Sequence, residues 1–150
     1  MYLIAHRGNI NGITELENQP SYIDNAIQEG FDVEVDVWVI DDVLYLGHDK
    51  PQYKVEFRWF RDRINKLWVH CKNAEAMLFF NRYGYKFNYF WHEEDMLTLT
   101  SKNIIWQYPS DIVYVNSIFL MPENFPNLDK DELKNSLGIC SDYIDNYSKI

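Results

Sequence analysis

Four histidines are the residues of this sequence best suited to acid–base or metal chemistry. Each lies at or near the end of a segment that is predicted to be a β-strand, and the four are His6, His48, His70 and His92. In a sheet of parallel strands the carboxyl ends meet on one face, where active sites are commonly built. A single histidine is usually an isolated structural residue, but four at strand ends indicate a shared site.

Two carboxylates separated by one residue indicate a metal site. Glu34 and Asp36 lie within one predicted strand, so their side chains project from the same face. Burying two unpaired carboxylates is costly or forces protonation, and a divalent cation removes that cost. Oxygen ligands favour a hard ion, Mg²⁺ or Ca²⁺. The alternative is that Asp32, Glu34 and Asp36 form the solvated face of an amphipathic strand whose valines face the core.

Other residues could contact a phosphate-bearing substrate. His70 and Lys72 repeat the two-residue spacing on a later strand, and a lysine that points into an anion site acts as a point charge for phosphate. An isolated lysine at a strand end can equally be a surface residue. Trp91, Trp106 and Tyr108 could form a wall for a glycerol, sugar or lipid moiety, or could simply be core residues.

The elements that must position these residues alternate in the first half of the chain. Strands are predicted at residues 2–5, 32–40, 43–47 and 67–71. Helices are predicted from Pro20, from Phe57 and after Asn73, which can cap the third helix. The second half is predicted as closely spaced strands at residues 88–91, 97–100, 104–108, 112–120 and 138–143. It includes a hairpin turning at residues 101–103, and a last helix with Asp129 and Glu132 as its capping box.

Composition limits the class of protein. The chain has 150 residues, enough for one domain but short for a full (β/α)₈ barrel, which normally needs about 200 or more. A formal charge of −9 without a Lys/Arg block argues against a general nucleic-acid binder. No apolar run is long enough to span a membrane and the start lacks a secretory signal, so we predict a cytoplasmic protein. Cys71 and Cys140 are predicted to be buried, reduced thiols.

Several short motifs occur in an order that is typical of one enzyme family. They are His6-Arg7-Gly8, Glu17-Asn18, Gly30-x-Asp32-x-Glu34-x-Asp36 and His48-Asp49. This series resembles the HRG, EN, GxDxExD and HD motifs of the glycerophosphodiester phosphodiesterase family. The resemblance is strong over residues 2–50, weaker through Lys72, and returns in residues 139–143. Residues 73–137 do not align with the family.

The resemblance implies a phosphodiesterase of the TIM-barrel superfamily that also contains the phosphatidylinositol-specific phospholipases C, with two histidines and one divalent metal. By position, His6 would be the general base or nucleophile, and His48 the general acid that protonates the leaving alkoxide. Four further residues would hold the metal or the substrate: Glu34 and Asp36 the metal, Arg7 and Lys72 the non-bridging phosphate oxygens.

One position departs from the family pattern. The third strand of the family usually carries Glu-x-Lys, where the glutamate completes the metal site, whereas this chain has His70-Cys71-Lys72. Imidazole is a poorer ligand for Mg²⁺ or Ca²⁺ and a better one for transition metals, so Mn²⁺ is an alternative ion. His70 is therefore the predicted third ligand. The other candidates for that position are Glu93, Glu94 and Asp142.

We therefore expect a single domain over residues 1–150 with an α/β fold, a reduced or incomplete TIM-like (β/α) barrel with about four helices and a β-rich second half. The expected function is metal-dependent cleavage of a glycerophosphodiester-like bond, by hydrolysis or by transphosphorylation to a cyclic phosphate. The partner would be a small-molecule or polymer phosphodiester, and a homo-oligomer could cover exposed strand faces. The alternatives are a phosphate-binding module that has lost efficient catalysis, and a histidine-rich transition-metal hydrolase of unrelated chemistry.

Overall fold

Ten strands form one sheet in the computed structural model, which describes residues 1–83, 86–108 and 111–150. The strands are β1 (Tyr2–His6), β2 (Asp32–Ile40), β3 (Val43–Leu46), β4 (Tyr53–Val55), β5 (Leu67–Cys71), β6 (Asn88–Phe90), β7 (Leu97–Leu99), β8 (Ile105–Gln107), β9 (Ser117–Leu120) and β10 (Gly138–Ser141). The helices are α1 (Pro20–Gln28), α2 (Phe57–Asp62) and α3 (Ala74–Asn81). Short 3₁₀ turns occur at Pro122–Asn124, Glu132–Asn135 and Ile144–Tyr147.

Parallel neighbours make up the part of the sheet that positions the site. Their order across the sheet is β6-β5-β2-β1-β10-β9-β8. β3 and β4 add an antiparallel hairpin to the last residues of β2, and β7 pairs antiparallel with β8. The sheet curls into a half-barrel, and no strand ladder joins β6 to β8 within the described ranges.

The expected TIM-like α/β barrel with about four helices is wrong. The described residues form ten strands and three α-helices, and the helices do not alternate with the strands along the whole chain. The expectation came from the family resemblance and from the alternation of strands and helices in the first half of the chain. Here β8, β9 and β10 are parallel neighbours, yet the described parts of their connections, residues 108, 111–116 and 121–137, contain only loops and 3₁₀ turns. The predicted last helix after Asp129 forms one of those turns, Glu132–Asn135.

Apolar layers cover both faces of the sheet. On one face the β2 valines Val33, Val35 and Val37 pack with buried residues of the three α-helices. On the other face lies a smaller inner cluster of Ile4, Trp68, Phe90, Trp106, Ile118, Leu120 and Cys140. Because β2 alternates, Glu34 and Asp36 face away from the valines, and they are 2% and 0% exposed. Their burial excludes the solvated-face alternative.

Several local predictions are confirmed. β2 has the predicted bounds, Asp32–Ile40, and the Asn73 side chain caps α3 by accepting a hydrogen bond from the Ala76 N–H. Cys71 and Cys140 are buried and free, and burial raises the pKa of the Cys71 thiol to about 12. No helix in the described part of the chain has the length and apolar character needed to cross a membrane.

Candidate functional site

A layer of polar side chains lies next to the inner apolar cluster, two residues closer to the carboxyl ends of the strands. Side chains two positions apart on a strand share a face. Five members of the cluster are each followed at that spacing by a polar residue: Ile4 by His6, Trp68 by His70, Phe90 by His92, Trp106 by Tyr108 and Cys140 by Asp142. The strand register places Glu34 beside His6 and Asp36 beside His70. The carboxyl ends of the strands therefore carry one polar site.

A cavity of about 330 Å³ opens at this polar layer. Six of the predicted site residues line it: His6, Arg7, Glu34, His48, His70 and Lys72. The seventh, Asp36, is fully buried next to them and contacts the side chains of Arg7, His48, His70 and Lys72. The structure thus brings together the seven residues that were predicted for catalysis, phosphate binding and metal binding.

Asp142 orients His6. Its Oδ1 lies 2.7 Å from His6 Nδ1 and accepts a second hydrogen bond, also of 2.7 Å, from the Asn9 side-chain amide. Burial alone would raise the pKa of the Asp142 carboxyl, but the His6 and Asn9 contacts hold this pKa below its usual value. An ionised Asp142 accepts from an Nδ1–H, so His6 Nε2 keeps the lone pair that a general base needs.

Glu123 in turn supports Asp142 through the backbone. Its two carboxylate oxygens accept hydrogen bonds from the Asp142 N–H at 2.9 Å and from the Ser141 hydroxyl at 2.8 Å. Sequence reasoning missed both acidic residues as positioning groups. Asp142 was considered only as a metal ligand, although it follows the inner residue Cys140 at the strand spacing. Glu123 belongs to no recognisable sequence motif, and only the fold brings its 3₁₀ turn, Pro122–Asn124, next to β10.

Arg7 and His48 contact each other at the cavity. Asp36 Oδ2 lies 3.3 Å from His48 Nδ1, and Arg7 Nη2 lies 3.2 Å from His48 Nε2. The same guanidinium pairs with Glu17 at 3.2 Å and with Asp36 at 3.1 Å. Burial alone would lower the pKa of Arg7, but the carboxylates of Asp36, Glu34 and Glu17 raise it. Arg7 is therefore a fixed cation, and its contact with His48 is the one that a substrate oxygen could replace.

Unusual backbone conformations position the side chains of Arg7 and His48 at the cavity. Arg7 has a φ of 53°, and this left-handed conformation turns the chain directly after β1. The Arg7 N–H donates a hydrogen bond to the Glu34 carbonyl oxygen at 3.0 Å. Gly47 precedes His48 with a φ of 145°, and a Cβ atom at this position would lie 2.2 Å from the Lys50 carbonyl oxygen. Only glycine fits there without moving the turn that carries His48.

Glu34, Asp36 and His70 form the candidate metal centre. Their ligand atoms lie within 4.8 Å of one another. His70 Nε2 donates to the His92 backbone carbonyl at 2.9 Å, while Nδ1 lies 3.0 Å from Asp36 Oδ1 and 3.5 Å from Glu34 Oε1. The angles at Asp36 Oδ1 do not suit a hydrogen bond, so this buried oxygen has no hydrogen-bond partner among the described residues. An unsatisfied carboxylate oxygen beside a ring nitrogen fits a divalent cation.

Without a metal, a protonated His70 adds positive charge next to Glu34 and Asp36, beside that of Arg7 and Lys72. Burial alone would lower the pKa of His70, but the contacts with Asp36 and Glu34 raise it to about 9. Burial would likewise raise the pKa of Asp36, yet His48, His70 and Arg7 hold it well below its usual range. A proton and a metal ion cannot share Nδ1, so metal binding would release that proton.

The other candidates for the third ligand lie elsewhere. Glu93 lines the cavity but lies outside the cluster, Glu94 is exposed, and Asp142 is bound to His6. Among the described residues, His70 is the candidate that lies within ligand distance of both Glu34 and Asp36.

The remaining cavity wall is mostly apolar and comes from residues at or near the ends of β6, β8 and β9. It includes His92, Trp106, Tyr108, Leu120 and Met121. Trp106 is also a core residue, because its ring lies 4.5 Å from that of Phe90. Burial and the charge of His70 lower the pKa of His92. Trp91 packs instead against the apolar cluster that contains the β2 valines, and it does not line the cavity.

Comparison with protein-family models, curated proteins and solved structures finds no match for this chain. The likeness to the phosphodiesterase motifs therefore stays a resemblance of sequence.

Proposed function

We propose that this protein is a metal-dependent phosphodiesterase that cleaves a glycerophosphodiester-like bond, with His6 and His48 as its acid–base pair. One observation carries the proposal. Two imidazoles, each with one nitrogen against a buried carboxylate, line the same cavity as Arg7 and Lys72. A protein that only binds phosphate has no need of two histidines oriented in this way.

His6 is the general base in this proposal. Asp142 keeps the His6 proton on Nδ1, so Nε2 can take a proton from water or from a neighbouring substrate hydroxyl. The imidazolium that forms is stabilised by Asp142 at 2.7 Å and by Glu34 Oε2 at 3.9 Å from Nε2.

His48 is the general acid. Asp36 accepts from its Nδ1–H, and a second proton on Nε2 goes to the leaving alkoxide, which is otherwise a poor leaving group. Arg7 Nη2 donates towards Nε2 at 3.2 Å, so His48 can carry this second proton only when Arg7 exchanges that contact for a phosphate oxygen. Binding of the substrate phosphate by Arg7 and protonation of His48 at Nε2 are therefore linked.

The cations of the site balance the charge of the diester. Arg7 offers planar N–H groups to non-bridging oxygens, and Lys72, whose Nζ lies 3.7 Å from Asp36 Oδ1, adds a point charge. A divalent metal held by Glu34, Asp36 and His70 would polarise a phosphoryl oxygen as a Lewis acid. A homo-oligomer and a cytoplasmic location stay predictions.

Turnover of bis(p-nitrophenyl) phosphate and of glycerophosphodiesters tests the proposal, with EDTA, Mg²⁺, Ca²⁺ or Mn²⁺ present. We expect metal-dependent cleavage that falls by about 10²–10⁴-fold in His6→Ala and in His48→Ala. Arg58→Ala, which removes an exposed side chain of α2, should leave the rate unchanged. Activity that survives both histidine substitutions, or no cleavage of any diester, would overturn the proposal.

One observation favours a second candidate, a phosphate-binding module without efficient catalysis. His70 Nδ1 lies 3.0 Å from Asp36 Oδ1 and 3.5 Å from Glu34 Oε1, and these contacts raise the pKa of His70 to about 9, so its protonated ring offsets part of the charge of the two carboxylates without a metal. Such a module would bind inorganic phosphate in EDTA through Arg7 and Lys72 and would turn over no diester. Calorimetry with phosphate, together with the turnover assay, separates the two functions.

A further inference from the structure

Asn18 is a buried residue whose side chain bonds Asp36 at two points. Its amide Nδ2 donates to Asp36 Oδ2 at 2.9 Å, and its Oδ1 accepts from the Asp36 N–H, also at 2.9 Å. A backbone N–H can only donate, so the atom that faces it must be the amide oxygen and the other must be the nitrogen. The orientation of the Asn18 amide is therefore unambiguous, and this residue ties the carboxylate of Asp36 to its own backbone.

The fold holds Asn18 in place in turn. Asn18 is 1% exposed, has a φ of 61° and donates its own N–H to the Arg7 carbonyl at 3.0 Å. Asparagine adopts this left-handed conformation more readily than most residues do. The Asn18 side chain does not line the cavity. It can therefore affect a substrate there only through the residues that it bonds.

The two carboxylate oxygens of Asp36 have different partners. Oδ2 accepts from Asn18 and lies 3.3 Å from His48 Nδ1. Arg7 Nε is 3.1 Å from the same oxygen but makes no hydrogen bond with any described residue. Oδ1 makes no hydrogen bond with them either, and it lies 3.0 Å from His70 Nδ1. Rotation of the carboxylate about its Cβ–Cγ bond would move Oδ2 out of line with His48, and it would have to break the bond to Asn18.

We propose that Asn18 is a positioning residue for the general acid, because it fixes the plane of the Asp36 carboxylate and so keeps Oδ2 in line with His48 Nδ1. This inference rests on the proposed function and goes beyond it. The bond from Nδ1–H to Oδ2 holds the imidazole in the orientation that directs Nε2 at the leaving oxygen. A carboxylate that was free to turn would orient His48 for only part of the time. Protonation of the leaving alkoxide would then slow, while binding of the phosphate by Arg7 would change little.

Turnover of two substrates by Asn18→Gly tests the inference. Glycine takes the left-handed conformation without strain, so this variant removes both side-chain bonds and leaves the backbone as it is. Cleavage of glycerophosphoethanolamine releases an alkoxide that needs a proton, whereas bis(p-nitrophenyl) phosphate releases a phenolate that leaves far more easily. We expect kcat to fall by about 10-fold or more on glycerophosphoethanolamine and by clearly less on bis(p-nitrophenyl) phosphate, with a smaller change in KM. A general loss of structure would slow both substrates alike.

Asn116→Gly is the matched control. Asn116 is an exposed asparagine with a φ of 64°, and it precedes β9 at the end of the sheet away from the cavity. The same change at this position should leave kcat on both substrates unchanged. Equal falls on the two substrates in a folded Asn18→Gly variant, or full kcat on both, would overturn the inference.

The ring of His48 provides a second measurement, which needs neither turnover nor a folded Asn18→Gly variant. In metal-free wild-type protein labelled with ¹⁵N-histidine, the neutral His48 ring should carry its proton on Nδ1, with its signals assigned by their loss in His48→Gln. Where Asn18→Gly folds, the share of this tautomer should fall. A wild-type ring with its proton on Nε2 would overturn the inference, because Asp36 would then accept no bond from it. A tautomer share that Asn18→Gly leaves unchanged would overturn it as well.

The inference and the proposed function fail in different ways. Cleavage of both substrates at equal rates by the wild-type protein and by Asn18→Gly would remove the role of Asn18 and leave the phosphodiesterase standing. No cleavage of any diester, together with a His48 ring that loses its Nδ1–H tautomer in Asn18→Gly, would remove the phosphodiesterase. Asn18 would then remain the residue that orients His48 through Asp36.

Discussion

Asp142 decides which nitrogen of His6 carries the proton. Its Oδ1 accepts hydrogen bonds from both His6 and Asn9, and its lowered pKa keeps it ionised. In Asp142→Asn the new amide can donate to His6 Nδ1, which moves the ring proton to Nε2 and blocks the base. We expect kcat to fall by about 10²–10⁴-fold with a smaller change in KM, measured on bis(p-nitrophenyl) phosphate.

Two further substitutions show whether this effect is specific. Asp145→Asn changes an exposed carboxylate in the adjacent 3₁₀ turn and should leave kcat unchanged. Glu123→Gln removes the charge of the carboxylate that accepts the hydrogen bond from the Asp142 N–H. The fall in kcat in this variant should lie between those in Asp145→Asn and Asp142→Asn. Full kcat in a folded Asp142→Asn variant would show that His6 is not the base.

The charge of His70 should make the metal-free protein sensitive to alkaline pH. Contacts with Asp36 and Glu34 raise the folded-state pKa of His70 from 6.5 to about 9. A raised pKa stabilises the fold fully below the unfolded value, and this contribution is lost as the pH rises from about 6.5 through 9. We expect the urea midpoint in EDTA to decline over this window in the wild-type protein. The decline should be smaller in His70→Gln, and equal declines would contradict the role assigned to the imidazolium.

The turn between β3 and β4 should be unusually intolerant of a side chain. A Cβ at Gly47 would lie 2.2 Å from the Lys50 carbonyl, whereas a Cβ at Gly30 would meet nothing within 4 Å. Both glycines have positive φ, 145° at Gly47 and 102° at Gly30, so each alanine substitution also bears backbone strain of about 1–3 kcal/mol. We expect Gly47→Ala to lower the free energy of unfolding by at least about 1 kcal/mol more than Gly30→Ala, measured by urea denaturation.

The same turn carries His48, so its substitution should also affect catalysis. Gly47→Ala should lower kcat in protein that is still folded, because the turn has to move and His48 moves with it. Gly30→Ala lies after α1, away from the cavity, and should leave kcat unchanged. Equal effects of the two variants on stability and kcat would mean that the close approach at Gly47 is easily relaxed.

Elements with a strong local signal could be predicted, and elements defined by their neighbours could not. The alternation of β2 and the Asn73 cap of α3 are properties of a few consecutive residues, and both are confirmed. The strand β4 was missed, because Tyr53–Val55 is short and forms only by pairing with β3. The half-barrel was missed for a related reason, since nothing local shows that β8, β9 and β10 align without helices between them.

The site shows the same division. Residues in motifs on β1, β2 and β5 could be placed together, because the ends of neighbouring parallel strands converge. The role of Asp142 depends on β10 lying beside β1, and that of Glu123 on a turn folding back onto β10. Both contacts join residues far apart in sequence, so they require the fold and not only the motif.

The metal centre links strand pairing to the stability of the protein. Its ligands come from β2 and β5, so an ion that binds only the folded chain holds two neighbouring strands together. Binding at 100 times the Kd stabilises by about 2.7 kcal/mol, which for a chain of this size raises Tm by roughly 5–10 °C. Because His70 supplies a ring nitrogen, Mn²⁺ or Zn²⁺ should raise Tm more than Mg²⁺ or Ca²⁺ at equal concentration.

A change of one ligand should reverse this preference. His70→Glu would complete a set of three carboxylates, which suits Mg²⁺ and Ca²⁺, so these ions should give the larger increase in Tm in that variant. Glu93→Gln removes a cavity carboxylate outside the cluster and should keep the wild-type order of ions. Glu34→Gln should weaken the effect of every ion. An increase in Tm that persists unchanged in Glu34→Gln would place the bound metal elsewhere on the protein, and the cavity would then have to act on phosphate with its histidines and cations alone.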